Sequence, residues 1–222
     1  MKRLLLISNS TQHGRGYLDH VEGELRDFLG AARRIAFVPF AMFDRASYTD
    51  KTRARIEAMG YELAALEKAE AIFIGGGNTF RLLKGLEDSN LLEPIRKRVE
   101  SGAPYVGSSA GAIVAGPTLK TTKDMPIVQP RSFDALALVE FQISPHYLDP
   151  DPSSKHMGET QEERISQFLE ENDAPVVGLR EGAWLRVEGK STRLGGAMGA
   201  RIFRKNQPPL ERRSGEELEI AR

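Results

Sequence analysis

Residues 104–114 read PYVGSSAGAIV, a short apolar segment that leads through a glycine-flanked serine into helix-compatible residues. The central part, Gly107 to Gly111, matches G-x-S-x-G, a pattern typical of a nucleophilic serine on a sharp strand-to-helix turn. Such a turn exposes the serine at the end of the strand, and the first N–H groups of the helix face developing negative charge. The stretch therefore predicts a strand-turn-helix unit with Ser109 as a candidate nucleophile. The alternative is a tight glycine turn whose serine only caps the helix.

The same strand-then-helix order recurs along most of the chain. The predicted strands are short and apolar without alternation, as expected of strands buried on both faces of a parallel sheet. They cover residues 3–8, 34–40, 71–74, 104–107, 141–144 and 175–179. The predicted helices cover residues 17–29, 48–59, 78–86, 93–100 and 159–171. This alternation predicts an α/β fold with three layers around a mostly parallel, open sheet.

The carboxyl-terminal part of the chain has a different pattern. Residues 184–188, 192–194 and 200–204 are short strand-like segments separated by glycines, which predicts a short antiparallel extension of the sheet. Residues 207–222 are polar and charged and contain two prolines, so we expect a loosely held tail. Because the chain has no internal repeat, residues 1–206 are expected to form a single domain.

The composition argues against several classes of function. Among the 222 residues, 31 basic side chains balance 31 acidic ones, whereas nucleic-acid-binding domains usually carry a basic excess. The chain has no cysteine, which removes thiolate nucleophiles, thiolate zinc sites and iron–sulfur clusters. The apolar run at residues 4–7 is shorter than a signal-peptide core, and no other run approaches the length of a membrane span. We therefore expect a cytoplasmic protein that binds neither nucleic acid nor membranes.

A second glycine-rich stretch, GGGNT at residues 75–79, follows a predicted strand and opens a helix. Three glycines allow close approach of a ligand, and their N–H groups can form an anion-receptive nest. Because the carboxyl ends of parallel strands meet at one edge of a sheet, this loop and the serine turn are expected to face each other. The N–H of Gly77 would then join that of Ala110 as an oxyanion donor. The alternative is a glycine turn in which Asn78 or Thr79 caps the helix.

A serine nucleophile needs a general base, and histidine is the commonest one. Of the four histidines, His146 directly follows a predicted strand and is the best placed. His20 lies on a polar helix face, and His156 lies in a polar stretch with no strand to orient it. His13 lies in the loop after the first strand and stays an alternative.

The base in turn needs a carboxylate that orients it. Glu181 comes just after a predicted strand and is the first candidate, while Asp124, Asp149 and Asp151 compete and spacing does not separate them. The chain order Ser, His, Glu differs from that of α/β-hydrolases, although a triad is defined by geometry rather than order. The sequence has neither an H-E-x-x-H motif nor clustered histidines, so no metal or other cofactor is expected.

Six stretches together carry a family resemblance. They are GGGNTF (75–80), GSSAGA (107–112), TTKDMPIV (121–128), FDAL (133–136), QISPH (142–146) and GLREGAW (178–184). In combination they are similar to serine peptidase family S51, which includes α-aspartyl dipeptidases and is related to the cyanophycinases. The resemblance extends to about residue 203. It implies a fold similar to that of class I glutamine amidotransferases, with serine in place of their cysteine.

The resemblance also implies an activity and the residues that carry it. A Ser-His-Glu triad falls on Ser109, His146 and Glu181, and the oxyanion donors fall on the backbone of Gly77 and Ala110. The implied reaction is hydrolysis of dipeptides with an amino-terminal aspartate. A small peptide is therefore the expected partner, and the resemblance raises a homodimer as an option.

Four further residues are predicted to support the site or to bind substrate. The resemblance implies that Asp124, in the matching TTKDMP segment, belongs to the family's active-site set; the others are Asn78, Thr79 and Gln161. Gln161 departs from the family pattern. Family members carry an arginine directly after a GET triplet, and this arginine has been linked to recognition of the substrate aspartate. Glutamine can hydrogen-bond a carboxylate but cannot offer a charged, bidentate fork. The charge could come from another basic residue: Arg131, Arg164 or Arg180.

Three other functions stay open on the sequence. Two are hydrolytic: cleavage of β-aspartyl-arginine as in cyanophycinases, or a family S51 peptidase with a different amino-terminal preference. The third is a catalytically silent α/β module that binds an anion at its glycine loop.

Overall fold

The strands of the protein form two sheets in a computed structural model that describes residues 1–155 and 157–220. In chain order they are β1 (Arg3–Ile7), β2 (Arg34–Val38), β3 (Glu62–Leu63), β4 (Ala71–Ile74), β5 (Tyr105–Ser108), β6 (Gln142–Pro145), β7 (Val176–Leu179), β8 (Ala183–Glu188), β9 (Ser191–Gly196), β10 (Ala200–Phe203) and β11 (Leu210–Arg212).

The larger sheet has seven strands in the order β3-β2-β4-β5-β1-β8-β9. Its first five strands pair in parallel, whereas β8 and β9 are added antiparallel beside β1. The predicted α/β class, with a large, mostly parallel sheet, is confirmed. Of the predicted antiparallel extension, residues 184–188 and 192–194 form as expected in β8 and β9. The placement of residues 200–204 in this extension is wrong, because β10 pairs with β7 in the smaller sheet.

Helices cover both faces of this sheet and give the predicted three layers. The helices are α1 (Glu22–Leu29), α2 (Arg45–Ala58), α3 (Thr79–Asp88), α4 (Leu92–Glu100), α5 (Ala110–Ile113) and α6 (Gln161–Glu171). Side chains alternate across β1, so that Leu5 and Ile7 are buried with α1 and α2 while Leu4 and Leu6 are buried with α3 and α4. Among the described residues, no helix is both long and apolar enough to cross a bilayer.

The smaller sheet was not predicted. It contains four strands in the order β11-β10-β7-β6. The strands predicted at 141–144 and 175–179 do form and do pair in parallel, but their assignment to the main sheet is wrong. Both edges of β5 are occupied by β4 and β1, and β8 occupies the other edge of β1, so β6 and β7 pair with each other instead.

The first predicted helix is shorter than the sequence pattern indicated. Leu18 adopts a left-handed conformation with φ of 62°, and only a short 3₁₀ turn, Asp19–Val21, precedes α1. By contrast, α2 starts earlier than predicted because the side chain of Asp44 accepts a hydrogen bond from the N–H of Ser47 at 2.9 Å and caps the helix.

The expectation of a loosely held tail is also wrong for residues 207–220. Strand β11 pairs antiparallel with β10, and the side chains of Leu218 and Ile220 are buried in the core beneath the first sheet. The N–H of Leu218 also donates to the carbonyl of Thr192 at 2.7 Å. Strand pairing, main-chain hydrogen bonds and two buried apolar side chains together hold this largely polar segment in place.

Candidate active site

Ser109 lies on the sharp turn between β5 and α5. Its backbone has φ of 51° and ψ of −109°, a region that costs a non-glycine residue roughly 1–3 kcal/mol. The surrounding backbone is so close that a Cβ on Gly107 would lie 2.5 Å from the carbonyl oxygen of Gly111, and a Cβ on Gly111 would overlap the carbonyl oxygen of Ile74. The two glycines of the motif are therefore required by space.

Three predicted side chains come together at this turn. The Oγ of Ser109 lies 2.9 Å from Nε2 of His146, and Nδ1 of the same ring lies 2.6 Å from Oε1 of Glu181. Because an ionised carboxylate can only accept, the ring proton belongs on Nδ1. Nε2 is then free to accept the hydrogen of the serine hydroxyl, as a general base must.

His146 is held at the end of β6 by its main chain. Its φ is 53°, and its N–H donates to Oγ of Ser8 at 2.9 Å. The Ser8 hydroxyl in turn donates to the carbonyl of Leu179 at 2.8 Å. Ser8 is fully buried and joins β1 of the first sheet to β6 and β7 of the second. Sequence reasoning missed this residue because a serine at the end of a strand looks like ordinary turn chemistry.

Ser8→Ala is expected to lower the free energy of unfolding by about 1–3 kcal/mol, because it leaves the buried N–H of His146 without its acceptor. The imidazole should also lose alignment, so kcat should fall about three- to tenfold with little change in KM. Urea unfolding and steady-state kinetics measure the two effects. Ser108→Ala is a matched control, because the Ser108 hydroxyl is buried but has no hydrogen-bond partner among the described residues. Equal losses of stability in both variants would contradict the role assigned to Ser8.

Glu181 occupies the turn that connects β7 in the second sheet to β8 in the first. The next residue, Gly182, has φ of 84°, and its N–H donates to Oδ1 of the buried Asn9 at 2.7 Å. The side chain of Glu181 is 55% exposed, and that of His146 is 40% exposed. The turn thus fixes the backbone of Glu181 while its carboxylate stays open to solvent on one side.

The glycine loop faces Ser109, as expected. A Cβ on Gly76 would lie 3.0 Å from the Cβ of Ser109, and one on Gly77, where φ is 131°, would lie 2.8 Å from the carbonyl oxygen of Ala41. Ala110 is the first residue of α5, where the helix has no internal acceptor for the N–H. Both N–H groups proposed for an oxyanion therefore belong to segments next to the serine.

A network of polar contacts holds this loop against the segment around residue 124. Oδ2 of Asp124 accepts hydrogen bonds from the N–H of Thr79 at 2.7 Å, from its hydroxyl at 2.6 Å and from Thr122 at 3.0 Å. Asn78 caps α3 by accepting from the N–H of Arg81 and donates to the carbonyl of Met125 at 2.9 Å. Asp124, Asn78 and Thr79 thus support the glycine loop, and Asp124 does not contact the imidazole.

Gln161 lies behind His146 and beside Lys123, which sequence reasoning did not single out. The Gln161 amide donates to the carbonyl of His146 at 3.2 Å, and its oxygen accepts from the ammonium of Lys123 at 3.0 Å. That ammonium also donates to the carbonyl of Pro145 at 2.6 Å. Although much of the Lys123 side chain is exposed, desolvation of the ammonium lowers its pKa to about 8.

The three arginines considered as a source of the positive charge that Gln161 lacks each lie beside a carboxylate of the protein. Arg180 pairs with Asp149 at 2.8 Å and with Glu211 at 2.6 Å. Arg131 lies 3.7 Å from Asp88, and Arg164 lies 3.6 Å from Glu159.

The remaining candidates for the base and its carboxylate do not join the site. His13 is exposed, and His20 is half-buried, so that desolvation lowers its pKa. Asp151 is exposed and accepts hydrogen bonds from Ser153. His156 lies outside the described residues. Among the residues that are described, no group of three His, Cys, Asp or Glu side chains could hold a metal ion.

Ser109, His146 and Glu181 all line one open cavity of about 490 Å³, whose opposite wall is α2. A cavity of this volume is typical of small-molecule sites, which span about 300–1,000 Å³. The site therefore offers a serine with a base and an oriented carboxylate, next to backbone N–H groups, in a space that suits a short peptide.

The chain is similar to a known peptidase family and to named peptidases along most of its length. A sequence model of peptidase family S51 matches residues 4–195. Peptidase E of Streptomyces coelicolor is 53% identical over 97% of this chain and 93% of its own length. The probable alpha-aspartyl dipeptidase of Drosophila melanogaster is 46% identical over 91% of this chain and 90% of its own length.

Two solved structures share the fold. A putative peptidase E protein from Listeria monocytogenes superposes with a TM-score of 0.68 at 22% identity, over 89% of this chain and 99% of that one. A peptidase from an acI-B1 Actinobacterium superposes with a TM-score of 0.74 at 17% identity, over 98% of this chain and 96% of that one. Because the family match covers most of the chain and the sequence relatives are this similar, the chain belongs to peptidase family S51.

Proposed function

We propose that this protein is an α-aspartyl dipeptidase that hydrolyses Asp-Xaa dipeptides through a Ser-His-Glu triad. The proposal rests on two consecutive hydrogen bonds: one of 2.6 Å between Glu181 Oε1 and His146 Nδ1, and one of 2.9 Å between His146 Nε2 and Ser109 Oγ. The names of the relatives, peptidase E and probable alpha-aspartyl dipeptidase, support the substrate class.

In the proposed acylation step, Ser109 Oγ attacks the scissile carbonyl carbon while His146 Nε2 takes the hydroxyl proton. The carbonyl oxygen becomes an oxyanion that accepts hydrogen bonds from the N–H groups of Gly77 and Ala110. Each such donor typically contributes about 10²–10³ in rate. The C–N bond then breaks as His146 returns the proton to the leaving amine.

In the proposed deacylation step, the aspartyl group is released from Ser109 by water. His146 accepts a proton from the water, whose oxygen attacks the ester carbonyl, and the proton then passes to Ser109 Oγ. Glu181 keeps the imidazole in the same orientation throughout and stabilises its charged form.

Recognition of the substrate aspartate is proposed for Lys123 together with Gln161. Among the described residues, the Lys123 ammonium pairs with no carboxylate, and its partners are the neutral oxygens of Pro145, His146 and Gln161. A substrate carboxylate can replace the Gln161 oxygen on this ammonium, and that hydrogen bond would be charge-assisted on both sides. Lys123 would thus supply the charge that Gln161 lacks.

The preference for aspartate over asparagine should weaken as the pH rises from 7 to 9. Lys123 is cationic below its pKa of about 8 and neutral above it, so its charged fraction falls about tenfold over this range. The ratio of kcat/KM for Asp-Leu to kcat/KM for Asn-Leu should fall by up to about the same factor, because pH effects common to both substrates cancel in the ratio. Electrostatic attraction to Asp124 and Glu181 raises the pKa of this ammonium, and repulsion from Arg164 lowers it, but desolvation has the largest effect.

Lys123→Arg is the matched control for this experiment. A guanidinium stays charged at every pH used, so the variant should keep a flat ratio across the range. A ratio in the wild type that does not change with pH would count against Lys123 as the aspartate-binding group.

The substrate class is tested with the wild-type enzyme on Asp-Leu, Glu-Leu, Asn-Leu, β-Asp-Leu and β-Asp-Arg. The proposal expects Asp-Leu to have the highest kcat/KM. Exclusive cleavage of β-Asp-Arg would instead make the protein a cyanophycinase-like hydrolase. A preference for another amino-terminal residue is the second candidate function. It is favoured by Gln161, which stands where the family resemblance leads us to expect an arginine.

A further inference from the structure

One wall of the catalytic cavity is formed by the first two turns of α2 and its cap. The residues of this wall that line the cavity are Asp44, Ser47, Tyr48 and Lys51. The last three follow Asp44 by three, four and seven positions, so all four lie on one face of the helix. Two of these residues are already engaged. Asp44 accepts hydrogen bonds from the N–H and hydroxyl of Ser47 at 2.9 and 2.7 Å.

Lys51 is the only lysine or arginine among the described residues that line this cavity. Its ammonium lies 4.8 Å from the centre of the Tyr17 ring and forms no ion pair with a described carboxylate. The two cavity carboxylates have other partners, since Glu181 contacts His146 and Asp44 contacts Ser47. The wall thus presents an uncompensated cation to whatever occupies the space in front of Ser109.

The chemistry of a dipeptide identifies the anionic group that would lie there. When Ser109 attacks, the leaving nitrogen must reach Nε2 of His146, which protonates it. In a dipeptide the terminal carboxyl carbon is two bonds from that nitrogen, so the carboxylate must lie in the same cavity. In a longer peptide a neutral peptide group stands at this position instead.

We infer that Lys51 binds the carboxy-terminal carboxylate of the substrate and thereby selects dipeptides over longer peptides. This inference rests on the proposed function, and it assigns the second negative charge of Asp-Xaa to a group distinct from Lys123. The Tyr17 ring supports the ammonium from one side and limits the positions it can adopt. Lys51 is therefore a specificity-determining residue that acts on the leaving half of the substrate.

The test compares Asp-Leu with Asp-Leu amide, which lacks only the terminal charge. For the wild type, kcat/KM should be about 10- to 100-fold higher for the free acid, as expected of one charge-assisted contact. Lys51→Met should lose about that factor on Asp-Leu, mainly through KM, and change kcat/KM for the amide no more than about twofold. Arg53→Met is the control, because Arg53 is an exposed cation on the same helix and is not among the cavity residues.

Three results would overturn the inference, and they are distinguishable. Equal losses on the acid and the amide would mean that Lys51 acts on another part of the substrate or on the fold. A loss on Asp-Leu that persists for the amide but vanishes for Asn-Leu would assign Lys51 to the aspartate side chain. If the wild type cleaves neither Asp-Leu nor its amide, the proposed function fails and the inference fails with it.

A binding measurement gives a readout that does not depend on turnover. Calorimetric titration of the Ser109→Ala protein with Asp-Leu and with Asp-Leu amide should give a Kd lower for the acid by about the same 10- to 100-fold. Ser109→Ala/Lys51→Met should bind both ligands with similar Kd values. A preference for the acid that survives in the double variant would contradict the contact.

Discussion

Replacing Ser109 with alanine is expected to lower kcat for Asp-Leu by about 10⁴- to 10⁶-fold, the range typical for loss of a triad nucleophile. Without the Oγ there is no atom to form the acyl-enzyme, and the backbone N–H groups of Gly77 and Ala110 can stabilise only direct attack by water. The measurement is steady-state release of leucine, with far-ultraviolet circular dichroism to verify that the variant is folded.

Covalent labelling provides the independent control for this result. A fluorophosphonate should add its mass to the peptide that contains Ser109 in the wild type and not in Ser109→Ala. Activity of the variant within about tenfold of the wild type would place the nucleophile elsewhere. An unlabelled, inactive wild type that nevertheless binds Asp-Leu would favour the catalytically silent module.

Glu181→Gln is expected to lower kcat by about 10²- to 10³-fold. The amide is nearly isosteric with the carboxylate but lacks the charge that stabilises the imidazolium, and its NH₂ group would favour the wrong tautomer of His146. Loss of a buried triad aspartate costs about 10⁴. We expect a smaller effect because the Glu181 side chain is 55% exposed, and solvent screens its charge.

Asp149→Asn is the matched control for Glu181, since the sequence left both carboxylates open as partners of the base. Asp149 pairs with Arg180 instead, so its variant should keep kcat within about threefold of the wild type. If Asp149→Asn were the more damaging change, the assignment of the orienting carboxylate would have to be reversed.

The strand, turn and helix around Ser109 could be predicted from the sequence because the sharp turn requires glycine on both sides of the serine. Gly107 is required by the carbonyl of the nearby Gly111, and Gly111 is required by the carbonyl of Ile74 on β4. Both requirements appear in the sequence as glycines on either side of a serine. His146 and Glu181 were predicted as site residues because each directly follows an apolar strand, and their side chains do lie in contact in the structure. The resemblance to family S51 then selected Glu181 from several carboxylates.

The features that sequence reasoning missed depend on contacts distant in the chain. An apolar segment such as residues 141–144 indicates a buried strand, but nothing in its composition says which sheet it joins. Ser8 and His146 are 138 residues apart, so no spacing rule connects them. Leu218 and Ile220 are two apolar residues in a polar stretch, and only the surface that receives them reveals that they are buried.

The proposed catalytic groups come from both sheets, with Ser109 at the end of β5 in the first and His146 at the end of β6 in the second. Ser8 bridges these sheets across contacts 138 and 171 residues apart in the chain. During synthesis, a ribosome-bound chain that has exposed only its first half carries the serine but neither its base nor the carboxylate. With the roles proposed for these residues, hydrolysis can begin only after the chain through Glu181 has emerged and the two sheets have formed.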